Sequence, residues 1–346
     1  MIIDTSIYFY TAGTGSFEFR LPTRIIFGEG TVRRLSGEII GLGGSKLLIV
    51  TSRGMSERQS IKDILSDLER AAIDTKIFSS TPPEPSLEDS NRCLEFAREV
   101  KPDIVAGIGG GSAMDVAKKT ALELGIPKIM IPTTAGSGSE VTFNSVLLVE
   151  GLKKSFSEPR LAADAAIVDP DLLMTLPPAI MICSAMDAMS HAVESYGARK
   201  GNDITRALAL KAYHMTRDNV ERALSGEAEG RRRIASGSLM AGMALTGTGT
   251  TLGHALAYPL SNRGMTHGQS LAAVLPHLMK INRFDAGHAD KLESLRRKYC
   301  SLPQIAWDIP AMAAEVAADE RHLANNPRAV TLQEIIDIYS GIQKEA

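Results

Sequence analysis

The chain has 346 residues, 44% hydrophobic and 23% charged, and its 38 basic against 40 acidic residues leave a formal net charge of -2. That length exceeds the roughly 250 to 300 residues one core fills, so two domains are expected, and balanced charge with no long run of either sign argues against nucleic-acid and membrane partners. Three cysteines, Cys93, Cys183 and Cys300, are odd in number and lack close spacing, which argues against a disulfide framework or zinc-thiolate site and for a reducing, cytoplasmic compartment.

Met1 to Gly13 carries Asp4, no basic leader and no clear cleavage site, so no signal peptide is expected. No window reaches the roughly 18 uninterrupted apolar residues of a membrane span. Phe17 to Leu21 alternates apolar and polar, and Arg24 to Phe27 follows after a proline; together they predict a short hairpin leading into a helix near Thr31. Leu47 to Val50 suits a buried parallel strand, Ser56 to Ala72 a long amphipathic helix, and Lys76 to Phe78 the next strand. Pro82 to Pro85 is a rigid loop. The alternation continues with a helix over 87–100, a strand over 103–108, a helix over 112–124 and a strand over 128–131, and 145–149 and 165–168 add two strands. This rhythm predicts a mostly parallel, Rossmann-like sheet covered on both faces.

From Pro178 the pattern is helical, with segments at 179–197, 203–224, 228–246, 267–281, 288–299 and a tail helix over 331–343. The expected organisation is therefore an α/β dinucleotide-binding domain over 1–173 and an all-helical, metal-binding and catalytic domain over 174–346.

Two turns carry the first chemistry. The strand ending at Ile108 runs straight into Gly109-Gly-Gly-Ser112 and a helix, leaving backbone N–H groups and a helix dipole aimed at an anion, for which a pyrophosphate is the natural occupant. A tight strand-to-helix turn needs glycines for geometry alone, and the turn is neither the G-x-G-x-x-G fingerprint nor a Walker loop. A second polar loop, Pro132 to Thr142, follows the next strand and belongs at the same carboxyl edge, where open α/β sheets bind ligands. The pair points to nucleotide binding.

The second chemistry is metal binding. Asp187 and His191 lie four apart in a run of helix formers, so both leave one helix face a turn apart. His254, after Gly253, and His267, before Gly268, supply two further imidazoles, and one Asp with three His suits iron or zinc. A lone histidine is more often an ordinary polar residue; four donors in such settings are not.

Gly109-Gly-Gly-Ser-Ala-Met-Asp-Val-Ala-Lys118, Ile131 to Thr142, Ile167-Val-Asp-Pro170, Met186 to Glu194 and the two later histidines together resemble the iron-containing, group III alcohol dehydrogenases, in order from about Phe27 to the tail. The resemblance implies NAD or NADP in the N-terminal domain and one divalent metal, iron or zinc, in the helical one. It implies Asp187, His191, His254 and His267 as metal ligands and, with Tyr258, as the catalytic set. Gly109, Gly110, Gly111 and Ser112 match the pyrophosphate turn, Thr133 and Thr134 the loop along the nicotinamide half, and Lys154 a lysine near the cofactor ribose. Asp115 and Ser137 complete the expected cofactor contacts, and a homodimer is the expected assembly. Three departures stand out: Tyr258 replaces a second histidine that many relatives use in a proton relay, the spacing from His254 to His267 is short, and the region after Asn282 is abbreviated.

The implied reaction is hydride transfer between NAD(P)(H) and a small aldehyde or a primary or secondary alcohol, with lactaldehyde-reductase-like or phosphonoacetaldehyde-reductase-like activity within range. The alternative is a dehydroquinate-synthase-like, metal- and NAD-dependent lyase on the same architecture; a non-enzymatic nucleotide or metal binder would have no use for both features. A metal-free reductase of the maleylacetate type would not need Asp187. At the end of the Leu47 to Val50 strand, Ser52 stands where NAD-preferring relatives commonly carry Asp, and Arg53 follows, so NADP(H) is the expected preference.

Overall fold

The computed structural model describes residues 16–345, and the reading of Met1 to Gly13 falls outside them. Two compact units emerge: Leu21–Leu176, and Pro177 onward together with the described residues up to Arg20. Residues 16–20 thus group with the helical unit, whereas the sequence reading assigns them to the α/β domain.

In the α/β unit, β1 (Arg24–Phe27), β2 (Lys46–Val50), β3 (Asp74–Phe78), β4 (Ile104–Gly109), β5 (Lys128–Pro132) and β8 (Ala165–Val168) form one parallel sheet in the order β1-β8-β5-β4-β2-β3. β6 (Asn144–Val149) and β7 (Leu152–Ser157) pair antiparallel as a separate ribbon. The expected hairpin near the start does not form, because β1 takes β8 as its parallel partner, Arg24 against Ala165, and residues 17–21 are not strand. The 145–149 segment likewise leaves the main sheet, pairing with β7, a strand the sequence reading does not contain.

The helices of this unit are α1 (Leu35–Gly41), the single turn α2 (Arg53–Ser56), α3 (Gln59–Arg70), α4 (Leu87–Val100) and α5 (Gly111–Leu124), preceded by a 3-10 turn at Thr31–Arg34. α4 starts at a full capping box between Ser86 and Asp89. β2, β4 and β5 are almost wholly buried, and Leu48, Val50, Val105 and Met130 pack against Cys93 and Ala97 of α4 and Met114, Val116 and Ala117 of α5. Each buried Leu, Val or Met among them contributes roughly 1.5 to 3 kcal/mol. α5 approaches β4 so closely that a Cβ on Gly107 would lie 2.8 Å from Ala117 Cβ and 2.9 Å from Met130 Sδ. The chain turns outward to β3 after β2 and the other way to β5 after β4, so the strand order reverses between β2 and β4, and ligands of open sheets sit at the carboxyl ends of such a pair.

The helical unit holds α6 (Pro178–Gly197), α7 (Asp203–Arg217), α8 (Val220–Leu224), α9 (Ala228–Thr248), α10 (Leu252–Ser261), α11 (His267–Ile281), α12 (Ala286–Tyr299), α13 (Ile309–Ala317), α14 (Glu320–Asn325) and α15 (Leu332–Glu345). α6 is central: it packs on α7, α9 and α11, and from Ala185 to Ser195 every residue is buried. The single helix expected over 203–224 breaks at Asp218-Asn219 into α7 and α8. α10 begins at Leu252, within the glycine-rich 247–253 run, and continues through Pro259. None of these described helices is long and apolar enough to cross a membrane.

Candidate metal centre and dinucleotide edge

Asp187, His191 and Glu194 occupy one face of α6, at helical spacings of four and three. His254 is the third residue of α10, and His267 opens α11, whose start is fixed by a capping box between Thr266 and Gln269. These elements bring ligand atoms of Asp187, His191 and His254 within 4.8 Å of one another, all three residues buried. The His191 and His254 rings stack with centroids 4.9 Å apart, and the His267 ring stands 5.5 Å from that of His254.

Donor chemistry and burial fit a metal. Asp187 Oδ1 is buried without a hydrogen bond, its neighbour His191 Nε2 lying at 3.6 Å. An unmatched buried carboxylate oxygen is costly unless a cation completes it. Imidazole with carboxylate is the donor set of iron and zinc, not of the all-oxygen calcium and magnesium sites.

Behind the ligands stands a residue to which the sequence reading assigns no role. Glu194 is fully buried and accepts from Ser190 Oγ (3.0 Å), Thr251 N (2.7 Å), Thr251 Oγ1 (3.1 Å) and His254 N (3.3 Å). Its Oε2 also lies 2.7 Å from His254 Nδ1. An Nδ1–H held in this way leaves Nε2 of His254 as the lone-pair donor for a metal. Burial alone would raise the Glu194 carboxyl, but His254 and the Thr251 N–H outweigh it and hold it at about 2. Gly253 makes the approach possible, since a Cβ there would fall 2.9 Å from the Glu194 carboxylate. The available signal was the i+3 spacing of Glu194 from His191; its partner on α10 is not visible in sequence.

Tyr258 sits one turn after His254, their ring centroids 6.4 Å apart, with His322 of α14 at 5.6 Å on another side. Burial, then the Asp319 and Glu194 carboxylates, push its hydroxyl up to about 12, so it holds its proton throughout the neutral range. His322 pairs through Nδ1 with Asp319 Oδ2 at 2.6 Å.

In the α/β unit the expected cofactor residues line three adjacent strand ends. Thr51 Oγ1 donates to Ile108 O (2.7 Å) and Thr133 N to Gly109 O (2.9 Å), tying the ends of β2 and β5 to that of β4. Ser52 caps α2 by accepting from Met55 N, and Arg53 beside it is exposed. α5 has Gly110 as its N-cap with no side-chain cap and no acidic residue in its first turn, so no carboxylate there competes with an anion for its leading N–H groups. A Cβ on Gly110 would lie 3.4 Å from Thr134 Oγ1, and one on Gly111 3.2 Å from Ser137 Oγ, so the two expected loops meet over the turn. Ser112 Oγ accepts from Glu84 N at 3.3 Å.

Two of the expected contact residues have partners within the protein. Asp115 is occupied within the protein: Ser139 Oγ donates to Oδ1 (2.6 Å), Val146 N donates to Oδ2 (3.0 Å), and buried Lys118 stands at 3.5 Å, so this carboxylate fastens the Pro132–Thr142 loop and β6. Lys154 is exposed and lies over the Phe156 ring. Its neighbour Lys153, on the opposite face of β7, is the lysine turned inward: its side chain is 8% exposed and bonds Glu84 at 2.6 Å, beside Ser112.

The family model described as iron-containing alcohol dehydrogenase matches residues 22–170, and that of the family's C-terminal region matches 181–300. The long-chain-alcohol dehydrogenase 1 of Geobacillus thermodenitrificans is 34% identical over 286 residues, covering 74% of this chain and 72% of that protein. The 1-propanol dehydrogenase of Citrobacter freundii is 30% identical, covering 92% of this chain and 98% of its own. A crystal structure of an iron-containing alcohol dehydrogenase superposes with a TM-score of 0.86 at 31% identity, over 95% of this chain and 99% of that one.

Proposed function

The chain belongs to the iron-containing alcohol dehydrogenase family, and from that membership and the candidate metal and dinucleotide sites we propose that it is a metal- and NAD(P)-dependent oxidoreductase acting between small aldehydes and their alcohols. The observation that carries the reading is the buried Asp187, His191 and His254 cluster. We assign the metal to these three residues with His267, with iron as its first candidate and zinc as the second, and the dinucleotide to Ser52, Arg53, Gly109 to Ser112, Thr133, Thr134, Ser137 and Lys153. We assign the dinucleotide to the unit Leu21–Leu176 and the metal to the unit from Pro177 onward.

When bound, the ion supplies Lewis acidity to a substrate oxygen and the nicotinamide supplies or accepts the hydride. The chain's own groups do the rest. Glu194 holds His254 in the tautomer whose Nε2 carries the lone pair, and the N–H groups opening α5 take the pyrophosphate charge. Aliphatic primary alcohols are the first substrates to test, because the relatives at 30% identity or above include a long-chain-alcohol and a 1-propanol dehydrogenase. The dehydroquinate-synthase-like reading is not favoured, since these relatives are dehydrogenases. A panel of aliphatic aldehydes with NADH and NADPH, in iron- and zinc-loaded protein, tests the assignment; no change in reduced-nicotinamide absorbance with any of them would end it. We further propose a cytoplasmic homodimer, to which β1, an edge strand of the sheet among the described residues, offers a pairing surface; light scattering checks it.

The cofactor preference proposed is NADP(H). Asp at position 52 would repel a 2'-phosphate, whereas Arg53 offers paired, charge-assisted hydrogen bonds to it. Because Ser52 caps α2, Ser52→Asp keeps a capping oxygen while adding the charge. It is expected to move the NADH-to-NADPH ratio of kcat/KM about tenfold towards NADH, or about 1.4 kcal/mol. Arg53→Ala raises KM for NADPH more than for NADH. Wild-type protein that uses NADH about tenfold better than NADPH refutes the preference.

Tyr258 is proposed as the proton donor in aldehyde reduction, supported by its place beside His254 and its retained proton. Tyr258→Phe is expected to lower kcat roughly tenfold or more. The residual rate falls more steeply as pH rises, because solvent then supplies the proton. An unchanged pH profile would make Tyr258 a core aromatic only.

A further inference from the structure

Cys183, in the second turn of α6, and Cys300, the C-cap of α12, are 117 positions apart in sequence, yet their Sγ atoms stand 3.0 Å apart. Cys183 is partly exposed and Cys300 buried. Two sulfurs at this separation need to close by only ~1 Å to reach disulfide bonding distance. Cys93, by contrast, is buried in the α/β core, where burial pushes its thiol up to about 11.

The position of the pair gives it a consequence. Cys183 is one helical turn before Asp187 on α6. Its Cβ also lies 3.1 Å from where a Cβ on Gly268 would fall, so it abuts the residue following His267 at the start of α11. The two thiols therefore join the end of α12 to the two helices that carry Asp187 and His267.

We propose that Cys183 and Cys300 form an oxidation site at which a hydroperoxide closes a disulfide and thereby lowers metal retention and turnover. One thiolate attacks the peroxide oxygen, breaking the O–O bond and becoming a sulfenic acid; with hydrogen peroxide the other oxygen leaves as water. The second thiol then attacks the sulfenic sulfur, forms the S–S bond and releases a second water. Two thiols lose two electrons to one peroxide, and the 3.0 Å separation puts either sulfur in place to resolve the other. Closure draws the first turns of α6 towards α12 and shifts Asp187 and the start of α11 out of register. A reducing compartment suits such a bond, because reversible, redox-sensing disulfides are the kind that occur there.

The test uses full-length, zinc-loaded protein, which avoids peroxide chemistry at iron. After stoichiometric hydrogen peroxide and denaturation, titratable thiols are expected to fall from three to one, with a peptide linking Cys183 to Cys300 in mass spectra. Bound zinc and kcat fall at least ~10-fold and return with dithiothreitol and zinc. Cys183→Ser and Cys300→Ser each retain activity and lose the response, with Cys183→Ala and Cys300→Ala as replacements should Ser disturb packing. Retention of three thiols, a link through Cys93, loss that dithiothreitol does not reverse, or a 183–300 disulfide that leaves zinc and kcat unchanged would each overturn the proposal. The thiol count is independent of the reaction catalysed, so this result and the dehydrogenase assignment fail separately.

Discussion

His254→Ala is expected to lose most of its bound metal and nearly all turnover while keeping its fold. His254 is the residue on which the cluster converges: its ring stacks on His191, faces His267 and is held through Nδ1 by Glu194. Removing it deletes one donor and unclamps the other imidazoles together. Outer partners of metal ligands are alone worth about 10- to 100-fold in affinity or activity, so loss of a ligand should exceed ~100-fold. Global unfolding is not expected, because Glu194 keeps Ser190 Oγ, both Thr251 donors and the backbone N–H of position 254. The measurements are metal per chain by mass spectrometry, kcat, and far-UV circular dichroism. A variant with full metal content and full rate would show that the ion, if bound, sits elsewhere.

What could be read from the sequence follows from how local each feature is. The buried strands β2, β4 and β5 are continuous apolar runs, and Asp187 with His191 is an i, i+4 pair, so periodicity alone exposes them. The Arg24 to Phe27 strand was legible but its pairing was not, because its partner β8 lies far along the chain and alternation near Phe17 suggested a nearer one. β7 was hidden by its two lysines, although Glu150-Gly151 before it offered a usable sign. Both residues have positive φ, 53° and 79°, as a two-residue hairpin turn of the kind that matches strand twist requires. Once that ribbon is recognised, alternation puts Lys153 and Lys154 on opposite faces, and the contact with Pro85 and Glu84 decides which one turns inward. Glu194 shows the same limit: its spacing was visible, but the space Gly253 leaves for it is a tertiary fact.

Glu194→Gln is expected to weaken metal binding about 10- to 100-fold, although it preserves side-chain volume. A carboxylate accepts at both oxygens, and here both are used: Oε1 by Thr251 N, Thr251 Oγ1 and His254 N, Oε2 by Ser190 Oγ and His254 Nδ1. An amide has one accepting end. With its oxygen towards Thr251, its NH2 faces His254 Nδ1, which must then accept; the imidazole proton moves to Nε2 and blocks the nitrogen that a metal needs. With the amide reversed, NH2 confronts the N–H groups of Thr251 and His254, leaving buried donors without acceptors at about 1 to 3 kcal/mol each. Either orientation therefore damages the site by a route that loss of charge alone does not describe. Because the carboxyl is held at about 2, Glu194 stays ionised above pH 5, and the deficit of the Gln variant should persist across pH 5 to 9 rather than appear at one end. Chelator competition gives the metal dissociation constant, and kcat at saturating metal separates binding from chemistry. A Gln variant that binds metal as tightly as wild type would mean that His254 takes its tautomer from some other partner.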